Sequence, residues 1–327
     1  MSGAKAFDSA AIRELTLLGS RNVFGLALQD AAADHPALRT VVADVKTSAR
    51  LGGFAETAPD RLVNVGIAEQ NMIGVAAGLA NEGYNVFASS FAPFASLRCF
   101  EMLRTLVGYM HLNVKTVGLL SGMTGASFGS THFGLEDMAV TRTIPNMTVV
   151  SPADCLEVYK TIEAAADFEG PMYIRLTGDR GTMGVHKEDY HFEIGRAEIL
   201  QEGTDVAMIG TGSILGEVMR ATRGLAKYGI NPTVVNMHTV KPLDIAVLDA
   251  VFGNHRLVVT VEEHFKTGGL GSAIAEYKAS YANGPAMLVL GVSDEFPHAG
   301  SLAFTLNHYG LSAPRIVETV VEKMKSL

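Results

Sequence analysis

Short apolar runs rich in β-branched residues alternate with longer segments of helical periodicity along most of the 327-residue chain. This alternation is typical of βαβ units, which form mostly parallel sheets with right-handed crossovers. The pattern predicts two doubly wound α/β units. Strands are predicted over residues 39–44, 61–66, 85–90, 113–120, 147–151 and 172–177, and again over 205–211, 233–240, 256–262 and 287–292. Helices are predicted over residues 69–82, 94–109, 153–166 and 213–228.

A polar stretch over residues 178–192, with the sequence GDRGTMGVHKEDYHF, interrupts the alternation. Such a stretch between two periodic regions is typical of an interdomain connection, and a chain of this length suggests about two domains. We therefore predict a first domain over residues 1–180 with a mostly parallel sheet, a linker over 181–192, and a smaller α/β domain over 193–327.

Charge and composition exclude several classes of protein. Lys and Arg number 26 against 34 Asp and Glu, a net charge of -8, so the basic surface that nucleic acid requires is not expected. Cys99 and Cys155 stand alone, which predicts neither a disulfide framework nor a zinc site. The sequence contains no long apolar run and begins with charged residues, so we expect a soluble, cytoplasmic protein without a membrane span.

An acidic residue follows the second predicted strand. In NVGIAEQNMIGVAAGLA, residues 64–80, the strand ends at a glycine and Glu69 lies in the first turn of the next helix. Ligands of open α/β sheets bind beyond the carboxyl ends of the strands, where Glu69 is expected. An acid in this position also complements the helix dipole, and that simpler interpretation stays open.

Two phenylalanines follow the next predicted strand in the segment SSFAPFASLRCF. Phe91 and Phe94 are expected to form a flat apolar surface beside Glu69, although phenylalanines at such a spacing are more often ordinary core residues. An acid beside an aromatic surface suits an aminopyrimidine, which stacks on the rings while its nitrogen exchanges a hydrogen bond with the carboxyl group.

Five segments, taken in order, resemble the transketolase-like thiamine diphosphate enzymes. They are GIAEQNM at residues 66–72, the SSFAPF run, IPNMTVVSPAD at 144–154, VNMHTVKPLD at 235–244 and VEEHFKTGGLGSA at 261–273. The resemblance extends over nearly the whole chain. It implies a pyrimidine-binding domain followed by the C-terminal domain of that family.

The resemblance also implies roles for single residues. Glu69 corresponds to the glutamate that pairs with the aminopyrimidine of thiamine diphosphate and promotes its imino tautomer. Phe91 and Phe94 correspond to rings around that aminopyrimidine, and Ile67 and Asp44 fall at positions on the cofactor side.

On the substrate side, His132 corresponds to a histidine that faces the reacting centre, where it binds substrate or transfers a proton. Arg21 and Ser48 fall where transketolases hold the phosphate end of the sugar, a role that suits a guanidinium. From the residues alone, His132 is also compatible with a surface loop histidine, and Arg21 with an exposed helix arginine.

The family's diphosphate and metal motif, GDG followed about 25 residues later by Asn, has no counterpart in the sequence. The nearest string is GDRG at residues 178–181, and we assign no metal ligand to this chain. The resemblance implies that a separate N-terminal subunit supplies the diphosphate site with Mg²⁺ or Ca²⁺. We expect an α2β2 assembly that is inactive without that subunit.

The substrate pocket departs from the family pattern at three positions. Phe128 stands where an aspartate reads a sugar hydroxyl, Gly178 where an arginine is usual, and Leu120 where a phosphate-binding histidine is common. Losing a hydrogen-bonding group from such a pocket changes specificity strongly. The sugar is therefore left open, with phosphorylated, unphosphorylated, branched and sulfonated substrates all compatible.

Other interpretations remain at this stage. A β subunit of a 2-oxoacid dehydrogenase and a fragment of 1-deoxyxylulose phosphate synthase share the chemistry, and a non-catalytic regulatory subunit shares the fold. The glycine-rich turn in IGTGSILGEVM, residues 209–219, allows a nucleotide-binding module but lacks the full dinucleotide motif. Glu262, Glu263 and His264, at the end of a predicted strand, are expected to line a subunit interface.

Overall fold

A computed structural model describes residues 5–327 of the chain. The strands, numbered in chain order, are β1 (Leu38–Val42), β2 (Leu62–Asn64), β3 (Asn85–Phe91), β4 (Val114–Leu119), β5 (Thr148–Val150), β6 (Met172–Arg175), β7 (Glu198–Gln201), β8 (Val206–Thr211), β9 (Pro232–Asn236), β10 (Thr239–Lys241), β11 (Leu257–Phe265) and β12 (Ala286–Val292). The α-helices are α1 (Ser9–Leu18), α2 (Ser20–Asp34), α3 (Gly52–Thr57), α4 (Glu69–Asn81), α5 (Ala92–Ser96), α6 (Phe100–Met102), α7 (Asp137–Arg142), α8 (Cys155–Asp167), α9 (Leu215–Ala226), α10 (Ile245–Asn254), α11 (Leu270–Lys278), α12 (Leu302–His308) and α13 (Ala313–Lys325).

The first sheet has seven strands in the order β10-β5-β6-β4-β3-β1-β2, and every neighbouring pair except β10 with β5 is parallel. Both faces of the sheet are buried, as expected for parallel strands covered by crossover helices. In β3, Val86 and Ala88 face the core beneath α4, whereas Phe87 faces the core formed with α1, α2 and α8. The predicted doubly wound α/β unit is confirmed.

The second sheet has five strands in the order β12-β11-β8-β9-β7, and only β7 runs antiparallel to its neighbour. Helices α9 and α13 cover one face, while α10 and α11 contribute to the core on the other. The core to which α10 and α11 contribute also contains Val149 and Tyr173 of the first sheet, together with Ile209 and Val235 of the second. The two α/β units therefore share a continuous apolar core.

The prediction of one strand over residues 233–240 is wrong. The chain leaves the second sheet after β9 and pairs as β10 with β5 of the first sheet, where Thr239 lies opposite Val150. The Ser151 N–H donates to the His238 carbonyl at 2.7 Å beside this pairing. Periodicity gave no sign of the break because both halves of the segment are equally buried.

The prediction of one continuous helix over residues 94–109 is also wrong. Helix α5 ends at Ser96, and a turn at residues 97–99 separates it from α6. Residues Leu103–Tyr109 then form a π-helical turn. Within residues 5–327, no helix combines the length and apolar character needed to cross a membrane.

Candidate active site

Glu69 is the first residue of α4, beyond the carboxyl end of β2. Gly66 makes the turn between them with φ of +75°, a conformation that favours glycine. Only 6% of the Glu69 side chain is exposed, and its Oε2 accepts a hydrogen bond from Arg98 Nη1 at 2.7 Å. Glu69 is thus an enclosed carboxylate paired with a cation, unlike a solvated acid at an ordinary helix start.

Four rings, those of Phe91, Phe94, Phe128 and His132, form what we call the aromatic cluster. The His132 ring centroid lies 5.7 Å from that of Phe91, 5.2 Å from that of Phe94 and 5.1 Å from that of Phe128. Phe91 and Phe94 meet edge to face at 6.2 Å. These separations are typical of ring contacts. The structure therefore brings together four residues that the sequence placed on two different segments.

Arg98 joins the aromatic cluster to the acid. Its guanidinium carbon lies 4.2 Å from the centroid of Phe94, a cation–π contact, while Nη1 bonds to Glu69. The Arg98 side chain is 46% exposed, so it lies at the mouth of the site. Sequence reasoning missed this residue. The signal in the sequence was that Arg98 follows Phe94 by four residues in SSFAPFASLRCF.

Arg21 and Ser48 form a second polar group with Asp179. Arg21 Nη2 lies 2.6 Å from Asp179 Oδ2, and Nη1 donates to the Ser48 carbonyl at 3.3 Å. The two residues predicted for the phosphate end of a sugar are thus in contact, through the main chain of Ser48. The Asp179 carboxylate already balances the charge of the guanidinium.

This second group borders the loop that carries His132. The Gly178 N–H donates to Thr124 Oγ1 at 2.8 Å, and the Gly178 carbonyl accepts from Ser20 Oγ at 2.6 Å. Leu120, immediately before the loop, is buried. Neither Leu120 nor Gly178 carries a charged side chain, so neither contributes a cation to this group.

Asp44 and Ile67 lie at the carboxyl ends of the adjacent strands β1 and β2. The Asp44 and Gly66 amides both donate to Asn64 Oδ1, at 3.0 and 3.1 Å, and Ile67 is 81% exposed. In the described range 5–327, no hydrogen bond or ring contact links Asp44 or Ile67 to the aromatic cluster. Their cofactor-side roles stay predictions.

Two groups of side chains in this chain contain acids that could hold a cation, and both already have hydrogen-bond partners. Asp179, in the GDRG string, is engaged by Arg21 and by the Arg180 N–H, so both of its oxygens are used. Glu157, His186 and Glu198 bring three possible ligand atoms within 4.8 Å of one another. These atoms also already have donors or acceptors: His186 contacts Asp154 and Glu198 at 2.9 and 2.7 Å.

Glu157, in turn, accepts from Tyr190, Asn236 and the Ala153 N–H. Burial alone would lower the pKa of His186, but its hydrogen bonds to Asp154 and Glu198 outweigh that effect and raise the pKa to about 11. A protonated imidazole held between carboxylates accounts for this cluster without a metal ion.

A cleft of about 810 Å³ lies elsewhere, between α2, α8 and residues 189–192. Its charged groups are largely paired with one another: Lys5 with Asp30 at 2.9 Å and Lys160 with Asp189 at 2.7 Å. We place the candidate site at Glu69 and the aromatic cluster rather than in this cleft, because an enclosed acid, a cation and four rings converge at Glu69.

Comparison with known proteins identifies the family of both halves of the chain. Residues 18–180 match the family model for the transketolase pyrimidine-binding domain, and residues 195–316 match the model for the transketolase C-terminal domain. Glu69, Arg98 and the aromatic cluster all lie within the first match.

Three relatives are similar over most of their length. A protein of Methanocaldococcus jannaschii, named as a transketolase C-terminal section, is 39% identical over 94% of this chain and 96% of its own. An apulose-4-phosphate transketolase subunit from Actinobacillus succinogenes is 36% identical over 85% of this chain and 89% of its own. A 6-deoxy-6-sulfo-D-fructose transketolase subunit from a Clostridium species is 38% identical over 86% of each chain.

Solved structures show the same fold. A split-gene transketolase, described as an inactive β4 tetramer, superposes with a TM-score of 0.85 at 37% identity, over 94% of this chain and 98% of that one. The transketolase of Campylobacter jejuni is 18% identical and superposes with a TM-score of 0.77. The match covers 93% of this chain and 46% of that one. The chain belongs to the transketolase family and corresponds to its pyrimidine-binding and C-terminal domains.

Proposed function

We propose that the chain is one subunit of a thiamine diphosphate-dependent transketolase that transfers a two-carbon ketol unit from a ketose donor to an aldose acceptor. The observation that carries the proposal is the enclosed Glu69 carboxylate, joined through Arg98 to the aromatic cluster. Relatives named as transketolase subunits support a transferase of this class.

The residues present fit the pyrimidine end of the cofactor. An aminopyrimidine needs an aromatic contact and a carboxyl group for its ring nitrogen. Phe91 and Phe94, which meet edge to face rather than as one flat surface, would supply the first and Glu69 the second. Arg98 engages Oε2 of Glu69, while in residues 5–327 no hydrogen bond reaches Oε1. Glu69 would hold the ring nitrogen and share a proton with it, the phenylalanines would orient the ring and exclude water, and Asp44 and Ile67 would lie on the cofactor side. When bound, the cofactor supplies the nucleophilic carbon that accepts the two-carbon unit.

His132 is the proposed substrate-side group. Its ring contacts those of Phe91, Phe94 and Phe128, and its Nδ1 lies 3.0 Å from Thr131 Oγ1. This contact restricts the orientation of the imidazole, which can bind a substrate oxygen or move a proton there. Phe128 offers an apolar contact, and Arg21 with Ser48 is proposed to bind the far end of the sugar.

The identity of the sugar is left to experiment. One relative is named for apulose 4-phosphate and another for a sulfonated fructose, so similar chains serve substrates with different far ends. The Arg21 guanidinium suits either a phosphate or a sulfonate, but Asp179 balances its charge in this structure, so an anionic end would have to compete with Asp179. Leu120 and Gly178 add no charge. A donor panel with phosphorylated, sulfonated and neutral ends therefore separates the possibilities.

We further propose that a second subunit completes the site. The chain lacks the diphosphate motif, both oxygens of Asp179 are engaged within the chain, and the transketolase of Campylobacter jejuni is about twice as long as the matched region. An N-terminal subunit would supply the diphosphate and Mg²⁺ ligands in a cytoplasmic α2β2 assembly. Within the present chain we propose domains over residues 1–180 and 193–327, joined by 181–192.

Calorimetric titration of thiamine diphosphate with Mg²⁺ into this chain, into the N-terminal subunit and into their mixture tests the split site. We expect micromolar binding in the mixture only. Binding to neither component nor to the mixture would instead favour a regulatory subunit that has the fold without the chemistry.

The catalytic role of Glu69 is tested by E69Q in the reconstituted complex. The amide keeps the size of the side chain but cannot share a proton in the same way, so we expect turnover to fall by about 100-fold or more. The control is E82Q, at the exposed end of the same helix α4, which should keep wild-type turnover. Equal activity of E69Q and the wild type would refute the proposed chemistry.

A further inference from the structure

The loop that carries His132 closes on itself. Gly122 and Gly134 form an isolated antiparallel bridge, with hydrogen bonds of 2.9 and 3.1 Å in the two directions. We call residues 122–134 the histidine loop. Gly122 has φ of +65°, and a Cβ there would lie 2.9 Å from Glu263, so the base of the loop is packed directly against the second domain.

Glu263, on β11 of the second sheet, binds that base. Its Oε2 accepts from the Met123 N–H at 3.1 Å, and its Oε1 accepts from Ser213 Oγ at 2.8 Å. The Glu263 side chain and Met123 are both buried, so this main-chain donor has no access to solvent. The first amide of the histidine loop after the bridge therefore depends on a carboxylate from the other domain.

Further contacts from the second domain surround the same loop. The Phe265 N–H donates to the Leu135 carbonyl at 3.0 Å, and the Gly300 N–H donates to the Ala126 carbonyl at 3.0 Å. Ser130 Oγ donates to the Pro297 carbonyl near the tip. Arg175 of the first sheet bonds to the Gly134 and Glu263 carbonyls at 2.8 and 2.5 Å, which ties the base to β11 a second time.

The expectation that Glu262, Glu263 and His264 line a subunit interface is wrong, because all three are buried within the chain. Successive residues of a strand point to opposite faces. Glu262 accordingly accepts from the Leu270 and Gly271 N–H groups at the start of α11, within the second domain. Glu263 faces the histidine loop. The two adjacent buried carboxylates thus bind different segments: Glu262 binds the start of α11, and Glu263 binds the histidine loop.

We infer that Glu263 is a positioning residue for His132: the second domain holds the histidine loop, through the Met123 amide, in the geometry that places the imidazole in the aromatic cluster. The inference rests on the proposed role of His132. It gives the C-terminal domain a part in catalysis beyond supporting the fold. A displacement of about 1 Å in such a loop is enough to reduce turnover about 100-fold.

The test compares E263A with the matched control E262A, both in the reconstituted complex with cofactor and Mg²⁺. Each variant removes a fully buried carboxylate with two donors, so both should lower the melting temperature. We expect E263A to reduce kcat about 30-fold with KM changed less than threefold, and E262A to leave kcat within twofold of the wild type. E263Q, which keeps an acceptor for the Met123 N–H, should restore most of kcat.

Hydrogen exchange supplies a readout independent of activity. In the isolated chain, E263A should increase exchange of the amides in residues 122–134 at least tenfold, whereas E262A and E263Q should not. If E263A does not fold, E263D carries the test, because its shorter side chain withdraws the carboxylate from Met123 while keeping the charge. Unchanged exchange in the histidine loop of the folded E263A or E263D variant overturns the inference.

The variant H132A, measured in parallel, separates this inference from the proposed function. Wild-type kcat in H132A would refute the proposed role of His132, while the exchange measurement would still decide whether Glu263 holds the loop. A large loss of kcat in H132A with wild-type kcat in E263A would refute the positioning role alone.

Discussion

Arg98 is the residue of the candidate site that the sequence motifs did not predict. Glu69, Phe91, Phe94 and His132 were identified from motifs, but Arg98 connects the acid to the rings and belongs to none of the predicted roles. Its exposed guanidinium stabilises a carboxylate that is almost fully buried. A buried acid without its cation is costly, because the carboxylate keeps its desolvation penalty.

We therefore expect R98L to lower the free energy of unfolding by about 1 to 2 kcal/mol, measured by urea denaturation of the isolated chain. The control is R104L, which removes an equally short pair with Glu101 in which both side chains are more than half exposed. Exposed pairs contribute little, so R104L should leave the free energy of unfolding close to that of the wild type. Equal losses in the two variants would contradict the distinction.

At the scale of elements, residues 178–192 lack helix and strand but are tightly bound to both domains. His186 contacts Asp154 beside α8 and Glu198 of β7, and its ring stacks on Tyr190 with centroids 4.4 Å apart. Tyr190 in turn donates to Glu157. The segment that the sequence indicates as a polar connection is thus packed against both domains, and the charged His186 imidazole holds it there.

The ionisation of His186 makes this attachment dependent on pH. Its pKa in the folded chain is about 11, against about 6.5 for an unperturbed histidine. A raised pKa means that the stabilisation is fully present below about pH 6.5 and decreases as the pH rises toward 11. The hydrogen bonds from His186, opposing the effect of burial, lower the pKa of Asp154, whose contribution is lost as the pH falls below about 4.

We expect H186Q to lower the free energy of unfolding by about 3 kcal/mol at pH 6, and by less than half of that at pH 9. Urea denaturation at the two pH values measures both differences. The exposed neighbour His191 provides the control, since H191Q should stay within about 0.5 kcal/mol of the wild type throughout. A loss in H186Q that does not change with pH would show that the imidazole is neutral.

At the scale of the whole molecule, the two sheets form one structural unit. One apolar core contains side chains from both, and β10 of the C-terminal half pairs with β5 of the N-terminal half. The ion pair of Arg175 with Asp137 is fully buried, and Arg175 also binds the main chain of β11. Separating the halves would expose apolar surface and break the buried hydrogen bond from Arg175 to the Glu263 carbonyl.

Differential scanning calorimetry of the isolated chain should therefore show a single unfolding transition in which both domains melt together. A fragment over residues 193–327 should lack a cooperative transition, because the face of its sheet that carries Ile209 and Val235 loses its apolar neighbours. Two resolved transitions in the intact chain, or a cooperatively folded fragment, would contradict the shared core.

The sequence by itself determined the fold class and indicated the candidate site. Strand and helix periods differ, so local pattern alone indicated two α/β units, and α4 and α8 begin within two residues of their predicted starts. Sheet geometry alone placed Glu69, Phe91 and Phe94 near one edge of the sheet and left simpler interpretations open, and their proposed roles came from the resemblance of motifs. The fold class needs only local pattern.

Only the tertiary structure decided how distant segments meet. The pairing of β10 with β5, the ion pair between Arg98 and Glu69, and the hydrogen bond between Glu263 and Met123 join residues whose mutual distance no local pattern contains. Glu262 and Glu263 are the clearest case: these neighbouring residues of the same type have different hydrogen-bond partners because a strand directs them to opposite faces. Periodicity reports which residues are buried, and packing decides what each of them touches.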